Sequence, residues 1–233
     1  MPNSLLSAAL DRIPSDLGAH PSAAERIGAV LRAQIVDGAL RSGTRLTEET
    51  ISASLGFSRN TIREAFALLA AERLVVREPN RGVFVATPTI ADVHDLYAAR
   101  LAIEPAGLLH GPAFSPDTAV QLQDIVDGAR AAKGRRDMAG VAEANQEFHR
   151  AIAGLTGSRR IDLLMEGVLA EMRLVFHLMD DDSLFHEPYL ERNADIVRLL
   201  VDDGRPAAAE ALRSYLMDAR DHVLSALGDA AGT

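Results

Sequence analysis

RLTEETISASLGFSRNTIREAFALLAAERLVVREPNRGVFV, residues 45–85, predicts two short helices joined by a tight turn and followed by a β-hairpin. The helices are expected to run from Thr47 to about Leu55 and from Ser58 to about Glu72. The side-chain oxygens of Thr47 and Ser58 can accept hydrogen bonds from the free N–H groups of each first turn. Gly56 follows the first helix, where many helices end on a residue that tolerates positive φ.

The residues after the second helix predict a hairpin. Two runs of β-forming residues, 74–76 and 83–85, flank a turn segment, 78–82, that contains Pro, Asn and Gly. Within the second helix, apolar residues spaced i, i+3, i+4 and i+7 form one stripe that must be buried. They are Ile62, Ala65, Phe66 and Leu69. Helix, turn, helix and wing in this order predict a winged helix-turn-helix, a candidate for binding DNA.

The second helix carries the side chains expected to read bases. Arg59 and Arg63 are four residues apart and project together from its N-terminal half. In a recognition helix, that half faces the major groove. A guanidinium matches two acceptors of guanine, and Asn60 can pair with adenine in a similar way.

Four further residues are candidates for contacts with the DNA backbone. Ser58 and Thr61 can reach phosphate oxygens, which fix the register without reading sequence. Arg81, at the hairpin tip, can enter the minor groove or contact a phosphate, and Gly82 lets the backbone come close. The alternative is a helix-and-hairpin domain that binds protein, with the arginines of the helix serving only as solvated charge.

Three segments resemble the GntR family of bacterial transcription regulators. They are AERIGAVLRAQIVDGAL (24–40), SGTRLTEETISASLGFSRNTIREAF (42–66) and LVVREPNRGVFVA (74–86). The resemblance implies that the DNA-contacting positions of the family are occupied here by Arg45, Ser58, Arg59, Thr61, Arg63, Arg81 and Gly82. Asn60 stands where the family often has a small Thr.

Charge is divided unevenly along the chain, whose formal net charge is −9. Residues 1–88 contain 10 Lys and Arg against 9 Asp and Glu, a net of +1. Residues 89–233 contain 14 against 24, a net of −10. Because salt screens charges beyond about 10 Å, a local arginine cluster can still face a phosphate backbone. We therefore expect DNA affinity to depend on a few placed arginines and on dimerisation.

Composition excludes several classes of protein. There are no cysteines, which excludes thiol catalysis, disulfides and cysteine–zinc sites. No apolar run approaches the ~20 residues of a membrane helix, and the first 20 residues lack the pattern of a secretory signal. We expect a cytoplasmic protein with a mostly disordered arm over 1–20, in which 4–13 can form a helical turn or two, a DNA-binding domain over 21–88 and a helical domain over 89–233.

Residues 89–233 show helical periodicity and no strand pattern. The predicted fold is therefore mainly α, an N-terminal winged helix-turn-helix followed by an antiparallel all-α bundle. Six helices are expected near Ile90–Leu109, Pro116–Lys133, Met138–Ala153, Ser158–Met179, Glu187–Asp203 and Pro206–Gly228. His177 and His186 flank the acidic run 180–182, which we interpret as a solvated loop because no calcium-loop spacing is present.

The third helix of this domain carries Asn145 and His149, which are four residues apart and can point into one cavity. DVHDLYAARLAIEP (92–105) and NQEFHRAI (145–152) resemble the helical effector domain of the fatty-acid-regulator-type subfamily of GntR proteins. In many members of this subfamily, an Asp or Asn, a His four residues on and two further His hold a metal ion. By this resemblance the last two positions are Asn193 and Tyr215.

An amide and a phenol are poor ligands for a zinc-like ion compared with imidazole. We therefore expect no resident metal and no cofactor, with a weakly held divalent metal at Asn145 and His149 as the alternative. The preferred hypothesis is that Asn145, His149, Asn193 and Tyr215 line a polar pocket for an organic effector. His149 can also be a core histidine with its hydrogen bonds satisfied.

Arg100 matches a family position that often faces that pocket. Its guanidinium can pair bidentately with a carboxylate of the effector. It can equally form a structural pair with Glu104, four residues further along the same helix. Both interpretations remain open at this point.

The leading hypothesis is a homodimeric transcription regulator, a repressor by expectation, that binds a palindromic double-stranded DNA operator and is controlled by a small carboxylate. A second hypothesis is an all-α enzyme with His149 or Glu147 as general base, but the chain has no nucleophile elbow, phosphate loop or dinucleotide-binding glycine pattern. A third is a DNA-binding protein that responds to no effector. We expect no membrane partner.

Overall fold

The structure is a computed structural model and describes residues 22–179 and 187–231. Over these residues, nine helices and a three-stranded sheet confirm the mainly α fold class. The expectations for the arm over 1–20, for the helical turn at 4–13 and for the loop around 180–182 and His186 lie outside the described residues. The chain forms two compact units. The first contains the residues up to Pro88 together with the separate segment Ala170–Leu178, and the second contains the remaining residues.

The first unit is a winged helix-turn-helix. Its elements are α1 (Ala23–Val36), β1 (Arg45–Leu46), α2 (Glu48–Leu55), α3 (Arg59–Ala71), β2 (Val75–Glu78) and β3 (Gly82–Val85). Thr47 and Ser58 cap α2 and α3, accepting hydrogen bonds from the backbone N–H groups of Thr50 at 3.3 Å and Thr61 at 3.2 Å. Gly56 ends α2 with a φ of 73°, a left-handed conformation that is costly for a residue with a Cβ.

The sheet of this unit is antiparallel, in the order β1-β3-β2. The predicted hairpin pairs Val75 with Val85 and Glu78 with Gly82. Strand β1, which pairs Arg45 with Phe84, is an addition that the sequence pattern does not predict. Two residues are too few to display the alternation that identifies a strand.

The core of the first unit combines three helical stripes. The predicted stripe of α3 is buried, and α1 contributes Ile27, Leu31 and Ile35, each with no exposed surface. Ala170 and Leu174 pack into the same core although Ala170 lies 99 residues beyond the end of α3 at Ala71. Each large apolar side chain buried in this way contributes about 1.5–3 kcal/mol. Nothing in the sequence pattern indicates that a distant helix completes this core.

The second unit is all helical over the described residues. Its helices are α4 (Ile90–His110), α5 (Thr118–Gly134), α6 (Met138–Gly154), the first part of α7 (Arg159–Phe176), α8 (Glu187–Asp202) and α9 (Arg205–Ala231). Helix α5 begins two residues after the predicted Pro116. The residues before it form a turn, in which Oγ1 of Thr118 accepts a hydrogen bond from the Ser115 N–H at 2.9 Å, and none of the described side chains caps the helix.

Packing within the second unit brings polar faces of four helices together. Helix α4 packs on α9 and α6, and α8 packs on α9, α5 and α6. Gly107 allows the close approach of α4 to α6, since a Cβ there would lie 2.6 Å from the carbonyl oxygen of Ile152. None of the described helices combines the length and the apolar composition needed to cross a membrane.

Candidate functional site

The N-terminal half of α3 and the hairpin tip are two exposed, polar parts of the first unit. Seven of the eight predicted DNA contacts are exposed, namely Arg45, Ser58, Arg59, Asn60, Arg63, Arg81 and Gly82. Thr61 is half-buried because its side chain lies against the Ser58 hydroxyl at 2.8 Å. Most of the predicted residues are therefore accessible to a ligand as large as duplex DNA.

Two of the predicted base-reading side chains already have acidic partners. Arg63 donates from Nε to Oε1 of Glu48 at 2.7 Å, across the turn between α2 and α3. Asn60 donates from Nδ2 to Oε1 of Glu64 at 2.8 Å, within α3. Each contact fixes an orientation for a side chain that would otherwise sample several rotamers.

Glu48 faces three arginines. The hydrogen bond from Arg63 lowers the pKa of this carboxyl group, and the positive charges of Arg59 and Arg77 add to the effect. Arg77 lies on β2 and is exposed. The sequence interpretation missed both Glu48 and Arg77, because Glu48 meets Arg63 only when α2 packs on α3 and Arg77 comes near them only when the hairpin folds.

The wing brings Arg45 and the hairpin tip together. Arg81 forms an ion pair with Glu78, and its guanidinium lies 5.4 Å from the centre of the Phe84 ring. Gly82 has a φ of 116°, and a Cβ at this position would lie 3.4 Å from Nε of Arg45. Two predicted contacts from separate strands, Arg45 and Gly82, are thus neighbours.

In the second unit, a buried ionic group links α4 to α6. Arg100 donates from Nε to Oε1 of Glu104 at 2.7 Å, and Oε2 of the same carboxylate lies 2.6 Å from Nδ1 of His149. All three side chains are 3% exposed or less. The structural pair of Arg100 with Glu104 is therefore present, and Glu104 also holds the histidine ring.

A chain of hydrogen bonds continues from His149 to α8 and α9. Nε2 of His149 lies 3.0 Å from the Tyr215 hydroxyl, which in turn lies 3.1 Å from Oδ1 of Asn145. Asn193 donates from Nδ2 to the same oxygen of Asn145 at 2.9 Å. The structure thus brings all five residues predicted for the effector pocket into one network, with Glu104 as a sixth member. We call this network the polar cluster; its members are Arg100, Glu104, Asn145, His149, Asn193 and Tyr215.

Charge in the polar cluster is balanced by Arg100 and Glu104. Burial would raise the pKa of Glu104, but attraction to Arg100 and the hydrogen bonds from His149 and Arg100 outweigh it and leave that pKa lowered. Burial lowers the pKa of His149 below its ordinary value of 6.5. Because Arg100 already neutralises the carboxylate, a second buried cation has no counter-charge, and the imidazole is neutral.

A neutral His149 fixes the direction of its hydrogen bonds. The ring carries its proton on Nδ1 and donates it to Glu104, so Nε2 is an acceptor. The Tyr215 hydroxyl has one proton, which it gives either to His149 or to Asn145. Burial raises the pKa of Tyr215, so the phenol keeps this proton.

The polar cluster does not fit the divalent metal that the subfamily resemblance implies. Both ring nitrogens of His149 are engaged, and the Tyr215 phenol does not ionise readily enough to serve as a ligand. Within residues 22–179 and 187–231, no three His, Cys, Asp or Glu side chains form a group suited to a metal ion. The amide of Asn145 is occupied by Asn193.

Three polar atoms at the edge of the cluster lack a hydrogen bond of acceptable geometry among the described residues. They are Nη2 of Arg100, the hydroxyl of Tyr97 and Oδ1 of Asn193. The ring of Tyr97 lies 5.2 Å from the Arg100 guanidinium. A buried polar atom without a partner costs about 1–3 kcal/mol, more when it is charged, so Nη2 of Arg100 is the costliest of the three to leave unpaired.

Comparison with known proteins matches both units. The bacterial regulatory proteins of the gntR family match residues 23–85, and the FCD domain matches residues 95–218. A solved structure from Rhodococcus sp. RHA1, described as a GntR transcriptional regulator, is 43% identical, covers 88% of this chain and 99% of its own, and superposes with a TM-score of 0.81.

Two curated relatives from Escherichia coli span most of the chain. The HTH-type transcriptional repressor RspR of strain K12 is 26% identical over 85% of this chain and 88% of its own length. The uncharacterized HTH-type transcriptional regulator YdfH of strain O6:H1 is 25% identical over 91% of this chain and 93% of its own length.

Proposed function

This chain belongs to the GntR family of bacterial regulatory proteins and carries an FCD domain, and on that premise we propose that it is a repressor whose operator affinity is set by a small carboxylate. It is a transcriptional regulator and not an enzyme. The name of the relative RspR supports repression rather than activation.

The DNA-reading part of the proposal rests on exposed α3. Arg59 and Arg63 lie on its first turns and direct guanidinium groups outward, as guanine recognition in the major groove requires. We propose that Asn60 contacts a base and that Ser58 and Thr61 contact phosphates. At the wing, Arg45, Arg81 and Gly82 form a second contact with the backbone or the minor groove.

The effector part rests on one observation, the buried Nη2 of Arg100, which makes no hydrogen bond of acceptable geometry within the described residues. A carboxylate oxygen is the strongest partner for a guanidinium N–H in a dry site. The hydroxyl of Tyr97 and Oδ1 of Asn193 add a second donor and an acceptor beside the same cluster. Asn145, His149 and Tyr215 are proposed to complete the lining.

Regulation then requires a coupling between two sites. We propose a cytoplasmic homodimer that binds two half-sites of a palindrome about one helical turn apart. The effector changes operator affinity by a coupling free energy of ~1–3 kcal/mol. Because the polar cluster is closed to solvent, the bound and free states must differ in side-chain arrangement within the second unit.

The test is a thermal-shift screen with small mono-, di- and hydroxycarboxylates, followed by DNA titration with each compound that raises Tm. A carboxylate at 100 times its Kd should add about 2.7 kcal/mol of stability and weaken binding to a duplex selected by the protein. Arg100→Lys keeps the charge but removes Nη2, and Tyr97→Phe removes only a hydroxyl. Both substitutions should therefore weaken binding of the carboxylate. Arg213→Lys, on the exposed side of α9, is the matched control.

One observation favours a second candidate, a regulator that responds to no effector. The ionic part of the polar cluster is satisfied by its own members, since Glu104 uses both oxygens and His149 both nitrogens. If no carboxylate shifts Tm while the protein still binds its selected duplex, the effector proposal is wrong and this alternative stands.

A further inference from the structure

The ion pair between Glu48 and Arg63 joins the two helices of the helix-turn-helix at the surface proposed to read DNA. The contact runs from Nε of Arg63 to Oε1 of Glu48 at 2.7 Å. The arginine side chain is 56% exposed and the glutamate side chain 27%. An exposed pair of this kind adds little to stability, so its geometry is the more informative property.

Glu48 is itself held in place. It occupies the first turn of α2, directly after the Thr47 cap, where the partial positive charge of a helix N-terminus favours a carboxylate. Arg59 and Arg77 approach the same carboxylate with their positive charges. A carboxylate attracted by three arginines is held in position and can in turn hold the flexible side chain of Arg63.

The pairing leaves one edge of the Arg63 guanidinium available. Since Nε is bonded to Glu48, the two terminal amino groups remain, and neither has another hydrogen bond within the described part of the chain. These two groups form the end-on fork that matches the O6 and N7 acceptors of guanine. The ion pair therefore presents a preorganised fork rather than a freely rotating cation.

We propose that Glu48 is a specificity-determining residue, which positions Arg63 so that its terminal amino groups read one base pair in each half-site. This inference rests on the proposed DNA-reading role of α3. It adds that Glu48, which contacts no base itself, sets how strictly Arg63 distinguishes one base pair from the others. The negative charge of Glu48 also weakens attraction to the phosphates of DNA of any sequence. Glu48 therefore lowers the affinity for non-specific DNA while it raises discrimination between bases.

The test is selection from a randomised duplex library, followed by titration of the selected duplex and of single-base variants. Wild type should show one position per half-site that depends on Arg63, identified by its loss in Arg63→Ala. Glu48→Gln should reduce discrimination at that position by about tenfold and increase affinity for random duplex. Glu49→Gln removes the same charge from the same helical turn and is exposed, so it should leave base preference intact.

Two further variants separate positioning from folding. Arg63→Lys keeps the positive charge but has no Nε, so it should lose the same base preference even with Glu48 present. In the Arg63→Ala background, Glu48→Gln should have no further effect at that position. Tm of each variant, measured in parallel, should remain near that of wild type.

The outcomes distinguish this inference from the function on which it rests. If Glu48→Gln keeps the full base preference while Arg63→Ala loses it, α3 reads DNA and the positioning role of Glu48 is wrong. If Arg63→Ala also keeps every preference, the proposed reading helix itself is wrong. An equal loss of base preference in Glu48→Gln and Glu49→Gln would mean that the negative charge alone, and not the contact with Arg63, causes the effect. That result would overturn the inference.

Discussion

At the scale of single residues, Glu104 is a buried carboxylate that joins two helices of the second unit. It has no exposed surface and holds Arg100 with one oxygen and His149 with the other. Removing one partner of a buried ion pair leaves the other charge uncompensated in a medium of low polarity. Glu104 thus connects α4 to α6 as well as balancing charge.

Glu104→Gln should lower the free energy of unfolding by about 3–5 kcal/mol, because the buried charge of Arg100 loses its counter-ion. Urea unfolding at neutral pH measures the change. Glu210→Gln is the control, since its partner Arg213 is 3.9 Å away and both side chains are exposed. A loss as small in Glu104→Gln as in the control would contradict the buried ion pair.

His149 should make the protein less stable in mild acid. Its pKa is lowered in the folded state, so the unfolded chain binds more protons below the ordinary value of 6.5. Stability is therefore full above pH 6.5 and falls as the pH drops, by up to about 1.4 kcal/mol per pH unit for this group. Urea unfolding of wild type and His149→Gln from pH 8 to pH 5 should give the shallower slope for the variant. Equal slopes would show that His149 is not buried as a neutral ring.

At the scale of elements, replacing glycine by alanine should lower stability at one helix position and raise it at another. Gly56 ends α2 with a φ of 73°, so Gly56→Ala forces a Cβ into the left-handed region and should cost about 1–2 kcal/mol. Gly128 lies on the exposed side of α5, where an added methyl group would meet no neighbour within 4 Å, so Gly128→Ala should stabilise by about 0.5–1 kcal/mol. Thermal melts of the two variants check both signs, and a stabilised Gly56→Ala would contradict the turn geometry.

Local sequence predicts the elements well where the signal lies within a few residues. The caps at Thr47 and Ser58 and the buried stripe of α3 are confirmed because each depends on neighbours three or four positions away. Strand β1 is missed because it has two residues and pairs with β3, nearly forty residues later. Helix α5 begins later than predicted because residues 115–118 form a turn, closed by the hydrogen bond from the Ser115 N–H to Thr118 Oγ1, before the helix starts.

At the scale of the whole molecule, the first unit depends on a segment that is distant in sequence. Leu174 has no exposed surface and packs in the core of the winged helix-turn-helix. Arg173, beside it, donates from Nε to the carbonyl oxygen of Val36 at the end of α1, at 3.2 Å. Residues up to Pro88 therefore do not contain the complete core of the DNA-binding unit.

Leu174→Ala should destabilise the first unit by about 2–5 kcal/mol, because it removes a fully buried side chain and leaves a cavity. Urea unfolding measures this loss of stability, and hydrogen exchange of the α1 and α3 amides should become faster in the same variant. Leu164→Ala makes the same change on the same helix, where the side chain is 52% exposed, and should change exchange little. Unaltered exchange in Leu174→Ala would show that this core forms without α7.

The candidate sites are predicted from the sequence only in part. Periodicity places Arg59 and Arg63 on one face, and Asn145 with His149 on another, because both pairs follow the helical repeat. It cannot show that Glu104 reaches His149, since the contact joins residues 45 positions apart. Assembly of the polar cluster needs the packing of four helices, and completion of the first core needs α7.

DNA recognition by α3 is tested most directly by the affinity of Arg59→Ala for a duplex selected by the wild-type protein, measured by fluorescence anisotropy at fixed salt. We expect a loss of about tenfold or more, because one bidentate base contact is worth ~1–3 kcal/mol. Arg160→Ala makes the same charge change at an exposed position of the second unit and should bind as wild type does. Wild-type affinity in Arg59→Ala would mean that α3 does not read the operator.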